Sequence, residues 1–216
     1  LLLAKAFNES AIPLQAFIAD YEAQLLTAEN KYAGVDHRHR TLYACIDTSV
    51  RYLDAELRTL FSKLWIFHAP FQPETAVAIF DPRAEDTEGT QGNRSPIYDQ
   101  LHTLWRRSLL TRETVTLREG TLLFYRLLPT MHPYVEHYLA QPGEREALLA
   151  CFGAAYAQLL RWLLRELNRG SLAAYLALQC REDLERAIAY VSGVERGYYL
   201  LDWGWVLQRL VDRRRG

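Results

Sequence analysis

The chain has 216 residues, 50% of them hydrophobic and 24% charged, with a formal net charge of -1, which is ordinary for a folded chain of one or two domains. So even a balance supplies no broad basic field for nucleic acid or an anionic membrane surface, and any such contact would have to be local. Cys45, Cys151 and Cys180 are odd in number, far apart and without a Cys-x-x-Cys pair, which argues against a disulfide framework or a zinc site and for a reducing cytoplasmic home.

No apolar run reaches the roughly 18 residues of a membrane span. The chain opens Leu1-Leu2-Leu3-Ala4 without a signal-peptide layout and is expected to start inside a longer protein. Asn93-Arg94-Ser95 fits a glycosylation acceptor, but Pro96 follows and nothing else suggests secretion, so it is read as a chance match.

In chain order, residues 1–7 form an apolar remnant. Pro13 to Leu26 carry Leu14, Phe17, Ile18, Tyr21 and Leu25 at helical spacing. Glu29 to Arg40 is polar, contains Gly34 and His37-Arg38-His39-Arg40, and reads as a linker with a boundary near residue 36. Leu42, Ile46, Val50 and Leu53 then mark one helix face, and Asp54 is an N-cap for a second helix bearing Leu57, Leu60, Phe61 and Leu64. Pro73 at a first helical position and Glu74 at the positive dipole end start a short helix to Phe80.

Asp81 to Ser95 is polar and glycine-containing, the composition of a solvated insertion. Ser95-Pro96 starts a helix with Ile97, Leu101, Leu104 and Trp105 inward, ending near Arg107. Leu110 to Leu117 and Thr121 to Leu128 flank Arg118-Glu119-Gly120 and predict a β-hairpin. Everything from Met131 onward reads as helical, and Glu144 to Asn168 has two apolar stripes, as for a helix sandwiched between neighbours. Further helices are expected over Leu172 to Gln179, Asp183 to Val191 and Gly197 to Leu210. The fold class is thus mainly α: a winged-helix domain with a small hairpin wing, followed by solenoid-like helices. The expected domains are 1–36, a helical-subdomain remnant and linker; 37–141, the winged helix; and 142–216, a helical arm.

The middle of the chain resembles the winged-helix domain of STAND NTPases, the NB-ARC-like signalling group. Residues 41–49 look like its first winged helix and residues 53–64 its second, while Trp65 to Phe71 stand where the family has a glycine pair that this chain lacks. Leu101 to Leu110 is similar to the family's leucine-x-x-leucine-x-x-x-serine-leucine-leucine. The most specific match is Tyr125 to Val135, which contains Met131-His132-Pro133. The resemblance implies that His132, with Met131 and Pro133, contacts the β-phosphate of bound ADP. Residues 181–188, with Asp183 in place of asparagine, resemble the helix that opens the family's TPR-like arm.

These likenesses imply a regulatory fragment that relays the ADP or ATP state of an upstream nucleotide-binding domain to partner binding or oligomerisation. No G-x-x-x-x-G-K-[ST] loop and no strand ending in paired acids occur. The fragment is therefore not expected to be an enzyme, ADP or ATP would bind only together with the upstream domain, and the full-length parent is expected to be an ATPase. Its implied partners are that domain, a protein effector on the arm and further copies of itself, with no membrane partner.

Blander readings stand beside these. A lone histidine at a helix start is commonly structural or solvated. His37 and His39 have no carboxylate or cysteine at ligand spacing and read as solvated. No nucleophile elbow or triad motif occurs. A DNA-binding reading would put the Pro96 to Arg107 helix in the major groove, with Arg106, Arg107, Arg112 and Arg118 on phosphates. Leu101, Leu104 and Trp105 are needed inside, however, and Asp99 shares the helix, so nucleic acid is not the expected partner. A plain scaffold arm is the third reading. Tyr198, Tyr199, Trp203 and Trp205 suit either a peptide-binding surface or ordinary packing, and Arg213-Arg214-Arg215 reads as a solvated helix end.

Overall fold

The computed structural model describes residues 2–32, 34, 36–82, 95–191 and 193–213. Most of the polar insertion, the start of the Asn93-Arg94-Ser95 tripeptide and the side chains of the terminal arginine run lie outside the described residues. The described chain is mainly helical with one small antiparallel sheet. It divides into two compact units. One comprises Leu1–Trp65, His102–Thr111 and Leu127–Ala140; the other comprises Ile66–Leu101, Arg112–Arg126 and Gln141–Gly216.

In the first unit, α1 (Leu2–Ser10) and α2 (Leu14–Lys31) pack on α3 (His37–Arg51). The Asp36 carboxylate accepts from the Arg38 N–H at 2.9 Å, which satisfies one of the orphan donors of a helix N-terminus. His37-Arg38-His39-Arg40 is therefore the first turn of α3 and not a linker; its polarity reflects exposure, which a helical turn tolerates. Asp54 caps α4 (Ala55–Lys63) as expected, accepting from the Leu57 N–H at 2.8 Å. Ile46, Phe61, Leu64, Tyr134 and Val135 are wholly buried in this unit.

The helix α6 (Ile97–Arg106) ends on Ser108, whose φ of 61° lies in the left-handed region. The Leu109 N–H donates to the Leu104 carbonyl at 3.0 Å and the Ser108 N–H to that of Trp105 at 2.9 Å, the two bonds of a Schellman closure normally made with glycine. The strands β1 (Leu110–Leu117) and β2 (Gly120–Leu127) form the expected hairpin. In the second unit, Phe71 adds a one-residue antiparallel bridge to Tyr125 through backbone bonds of 2.9 and 2.8 Å.

The helical stretch expected from Met131 begins as short pieces: α7 (His132–Tyr134), a π-helical turn Val135–Leu139 and a 3-10 turn Pro142–Glu144. Pro133 and Pro142 each sit in a first turn, where a missing N–H costs nothing. The core of the second unit is α8 (Arg145–Glu166), on which α5 (Pro73–Phe80), α9 (Leu172–Gln179), α10 (Arg181–Ala187) and α11 (Gly193–Arg213) all pack. That is the sandwiched position its two apolar stripes predict. An 18-residue window within Pro142–Glu166 has a mean hydropathy of 1.5, enough to cross a membrane by length and composition alone, and 44% of it is buried inside the structure.

Gly153 lets α8 touch the turn that follows α10. A Cβ there would lie 2.9 Å from the Tyr190 carbonyl carbon and oxygen. Gly153→Ala is expected to lower stability by about 1–3 kcal/mol through overpacking, although alanine is the better helix former by about 1 kcal/mol. A urea midpoint that stays level or rises would show instead that the Tyr190 turn yields.

Candidate functional site

The segment holding Met131, His132 and Pro133 starts from a tight turn, in which the Met131 and His132 N–H groups both donate to the Leu128 carbonyl at 2.8 and 3.1 Å. Met131 is buried, Pro133 is exposed and the His132 side chain is 16% exposed. His132 Nε2 lies 2.6 Å from the Trp65 carbonyl oxygen. A carbonyl only accepts, so Nε2 carries the proton. Nδ1 lies 3.8 Å from the Glu136 carboxylate, beyond hydrogen-bond length. The imidazole is thus a donor already engaged by the chain, with a carboxylate beside its second nitrogen.

Beside it lies a cluster the sequence reading did not single out. Tyr134, on the same short helix as His132, donates its phenol to Asp47 Oδ1; Tyr32 donates to Asp47 Oδ2, and Lys31 Nζ reaches both oxygens at 2.9 and 2.8 Å. Tyr43 packs its ring 5.3 Å from that of Tyr134, and Tyr138 packs 4.7 Å from that of Tyr32. Burial first, then the bond to Asp47, pushes the phenols of Tyr134 and Tyr32 well above their ordinary value. Both phenols therefore remain donors at any physiological pH. The available signal was an aspartate at position 47 within the helix that carries Leu42, Ile46, Val50 and Leu53.

A second buried carboxylate organises the other unit. Asp183 is fully buried and accepts from the His68 N–H at 3.0 Å, the Ala69 N–H at 3.2 Å, the Tyr156 phenol at 3.2 Å and Arg186 at 2.8 Å. Arg186 donates in addition to the Ile66 carbonyl at 2.8 Å and stacks 5.5 Å from the Phe152 ring centre. Burial holds the Asp183 carboxyl above the usual carboxylate range, against the opposing pull of the His68 N–H and of Arg186. The sequence reading noted Asp183 only as a replacement for asparagine. Its pairing with Arg186 at i, i+3 was the legible clue. Beside the loop it holds is a cleft of about 370 Å³ with Arg126 and an Arg181–Glu185 ion pair in its walls.

Of the arginines in the DNA-binding reading, Arg106, Arg112 and Arg118 are exposed and Arg107 is engaged by the chain. Leu101 and Leu104 are buried as expected, and Arg107 donates to the Tyr52 carbonyl at 2.7 Å, which leaves His102 and Arg106 as the exposed polar residues of that helix end. Tyr199 and Trp203 are buried, whereas Tyr198 and Trp205 are exposed, so the four aromatics do not share one surface. Compared with known proteins, the chain matches no family model, no curated protein and no solved structure.

Proposed function

We propose that the chain is the winged-helix and arm segment of a STAND-type signalling NTPase, relaying the ADP or ATP state of an upstream nucleotide-binding domain to a protein effector or to self-assembly. The supporting observation is the order helix, single-residue strand, helix, helix, hairpin: α4, Phe71, α5, α6, β1 and β2, with Phe71 paired to β2. That order and pairing suit a winged helix, with α3 standing ahead of the three-helix set instead of serving as its first member. Met131-His132-Pro133 follows the wing directly.

The residues present suit a diphosphate. His132 offers a protonated Nε2, Met131 is buried and Pro133 is exposed. The group itself would supply an anionic acceptor stronger than a peptide carbonyl. In the relay, the Nε2–H has two alternative acceptors, the Trp65 carbonyl and phosphate. A bistable contact of this kind is what lets a ligand shift the population of two states.

His132→Ala in the full-length protein is expected to speed ADP release about tenfold, equivalent to about 1.4 kcal/mol, read by displacement of a fluorescent ADP analogue. Unchanged release would remove the sensor role. A full-length protein lacking a phosphate loop upstream would remove the whole reading and bring forward the scaffold and DNA-binding alternatives, the latter tested by salt-dependent duplex binding.

A further inference from the structure

Helix α11 carries two apolar stripes. Tyr199, Trp203, Val206 and Leu210 are buried in the second unit. Tyr198, Leu201 and Trp205 remain 65%, 72% and 38% exposed, and at 100° per residue they fall within about 60° of one another. An apolar stripe left this open over about two turns marks an interaction surface.

The edges of that stripe indicate what covers it. Glu195, Asp202 and Arg209 recur at seven-residue intervals, which places all three along one edge, acidic towards the N-terminal end and basic towards the C-terminal end. Arg209 stacks on the Trp205 ring at 4.7 Å and so lies against the stripe. Along the opposite edge run Gly197 and Gly204, neither with any atom within 4 Å of where a Cβ would stand. Two helices packed antiparallel bring like edges together, whereas parallel packing brings the charged edge of one against the opposite edge of the other. Antiparallel docking of a second α11 about Leu201 would therefore set each Arg209 beside Glu195 of its mate at either end, with the two Asp202 side chains near the axis and the glycine edges meeting across the other side at close range. Parallel docking would leave the charges facing glycine.

We infer that the exposed stripe of α11 is a self-association surface, on which two copies of this chain pair antiparallel through Tyr198, Leu201 and Trp205, with Arg209 of each copy against Glu195 of the other. The pairing rests on α11 alone and stands or falls independently of the nucleotide relay.

Sedimentation equilibrium of the 216-residue chain, from low to several hundred micromolar, tests it. A reversible dimer is expected. Leu201→Glu should weaken it by at least about 100-fold, as for a residue at the centre of an interface, with helical circular dichroism unchanged because the site is on the surface. Arg209→Glu should weaken it about tenfold, and adding Glu195→Lys to that variant should restore it. A chain that stays monomeric throughout overturns the inference and leaves the stripe to an unrelated partner. A dimer indifferent to Leu201→Glu would lie on another surface. One weakened by Leu201→Glu but indifferent to the charge reversal would be parallel, and either result also overturns it.

Discussion

Asp183→Ala should cost about 3–5 kcal/mol of stability, the range for breaking a buried ion pair from one side. The substitution removes the acceptor of the His68 and Ala69 N–H groups and of the Tyr156 phenol, and it leaves Arg186 with the Ile66 carbonyl and the Phe152 ring. Arg186 retains some solvent at 25% exposure, which favours the lower end. A urea midpoint change corresponding to less than about 1 kcal/mol would mean that the loop at residues 66–70 is held by Phe67 stacked on Phe71 at 3.9 Å, and not by the carboxylate. The pH dependence gives a second handle. Burial raises the folded-state value of Asp183 above its unfolded one. Between the two, the native chain holds a proton that the unfolded chain has released, so this group's contribution to stability rises as pH is lowered through that window. Wild type should gain on Asp183→Asn as pH falls, starting where the raised carboxyl begins to protonate and ending near the unfolded value of about 3.9. A carboxylate held low by its partners would behave in the opposite sense.

Asp47→Ala is expected to cost about 2–6 kcal/mol, because two buried phenols each lose an acceptor at about 1–3 kcal/mol apiece. Lys31 contributes little to that figure, since its side chain is 44% exposed and its attraction is screened. Asp47→Asn keeps one carbonyl oxygen and should cost less than half as much. Equal losses for the two variants would point to the charge itself, and not to hydrogen-bond satisfaction, as the source of the effect. The double replacement of Tyr32 and Tyr134 by phenylalanine, combined with Asp47→Ala, should recover part of the loss, because apolar groups of the same shape demand no partner.

Both carboxylates mark where the sequence was hard to read. The 3.6-residue spacing of Leu57, Leu60 and Phe61, the Asp54 cap and the Pro73 start located α4 and α5 because propensity, cap and apolar pattern agree there. The hairpin was legible from its threonine and aromatic content on either side of Arg118-Glu119-Gly120. At Asp47 and Asp183 the pattern and the chemistry conflict: an acid inside an apolar face breaks the pattern, and only distant donors, Tyr134 for one and His68 for the other, make burial tolerable. Phe71 was invisible as a strand because one residue has no alternation to detect. The polar first turn of α3 hid its own cap, since His37-Arg38-His39-Arg40 looks the same in a helix and in a loop. The break at Ala140 and Gln141, between the π turn and the 3-10 turn, follows from Pro142, which disfavours helical backbone at the residue before it.

The way the chain distributes itself between its two units constrains any attempt to take it apart. The backbone passes from one unit to the other at residues 65/66, 101/102, 111/112, 126/127 and 140/141, so that α6, β1 and β2 each begin in one and end in the other. No single scission can release either body whole. A protease nick after residue 141 would free the last helices but strip Asp183 and α8 from the loop and short helix they bury, and a truncation ending at residue 101 would sever α6 within its own hydrogen-bond ladder. Halves produced separately should therefore be recovered folded only when mixed, as complementing fragments.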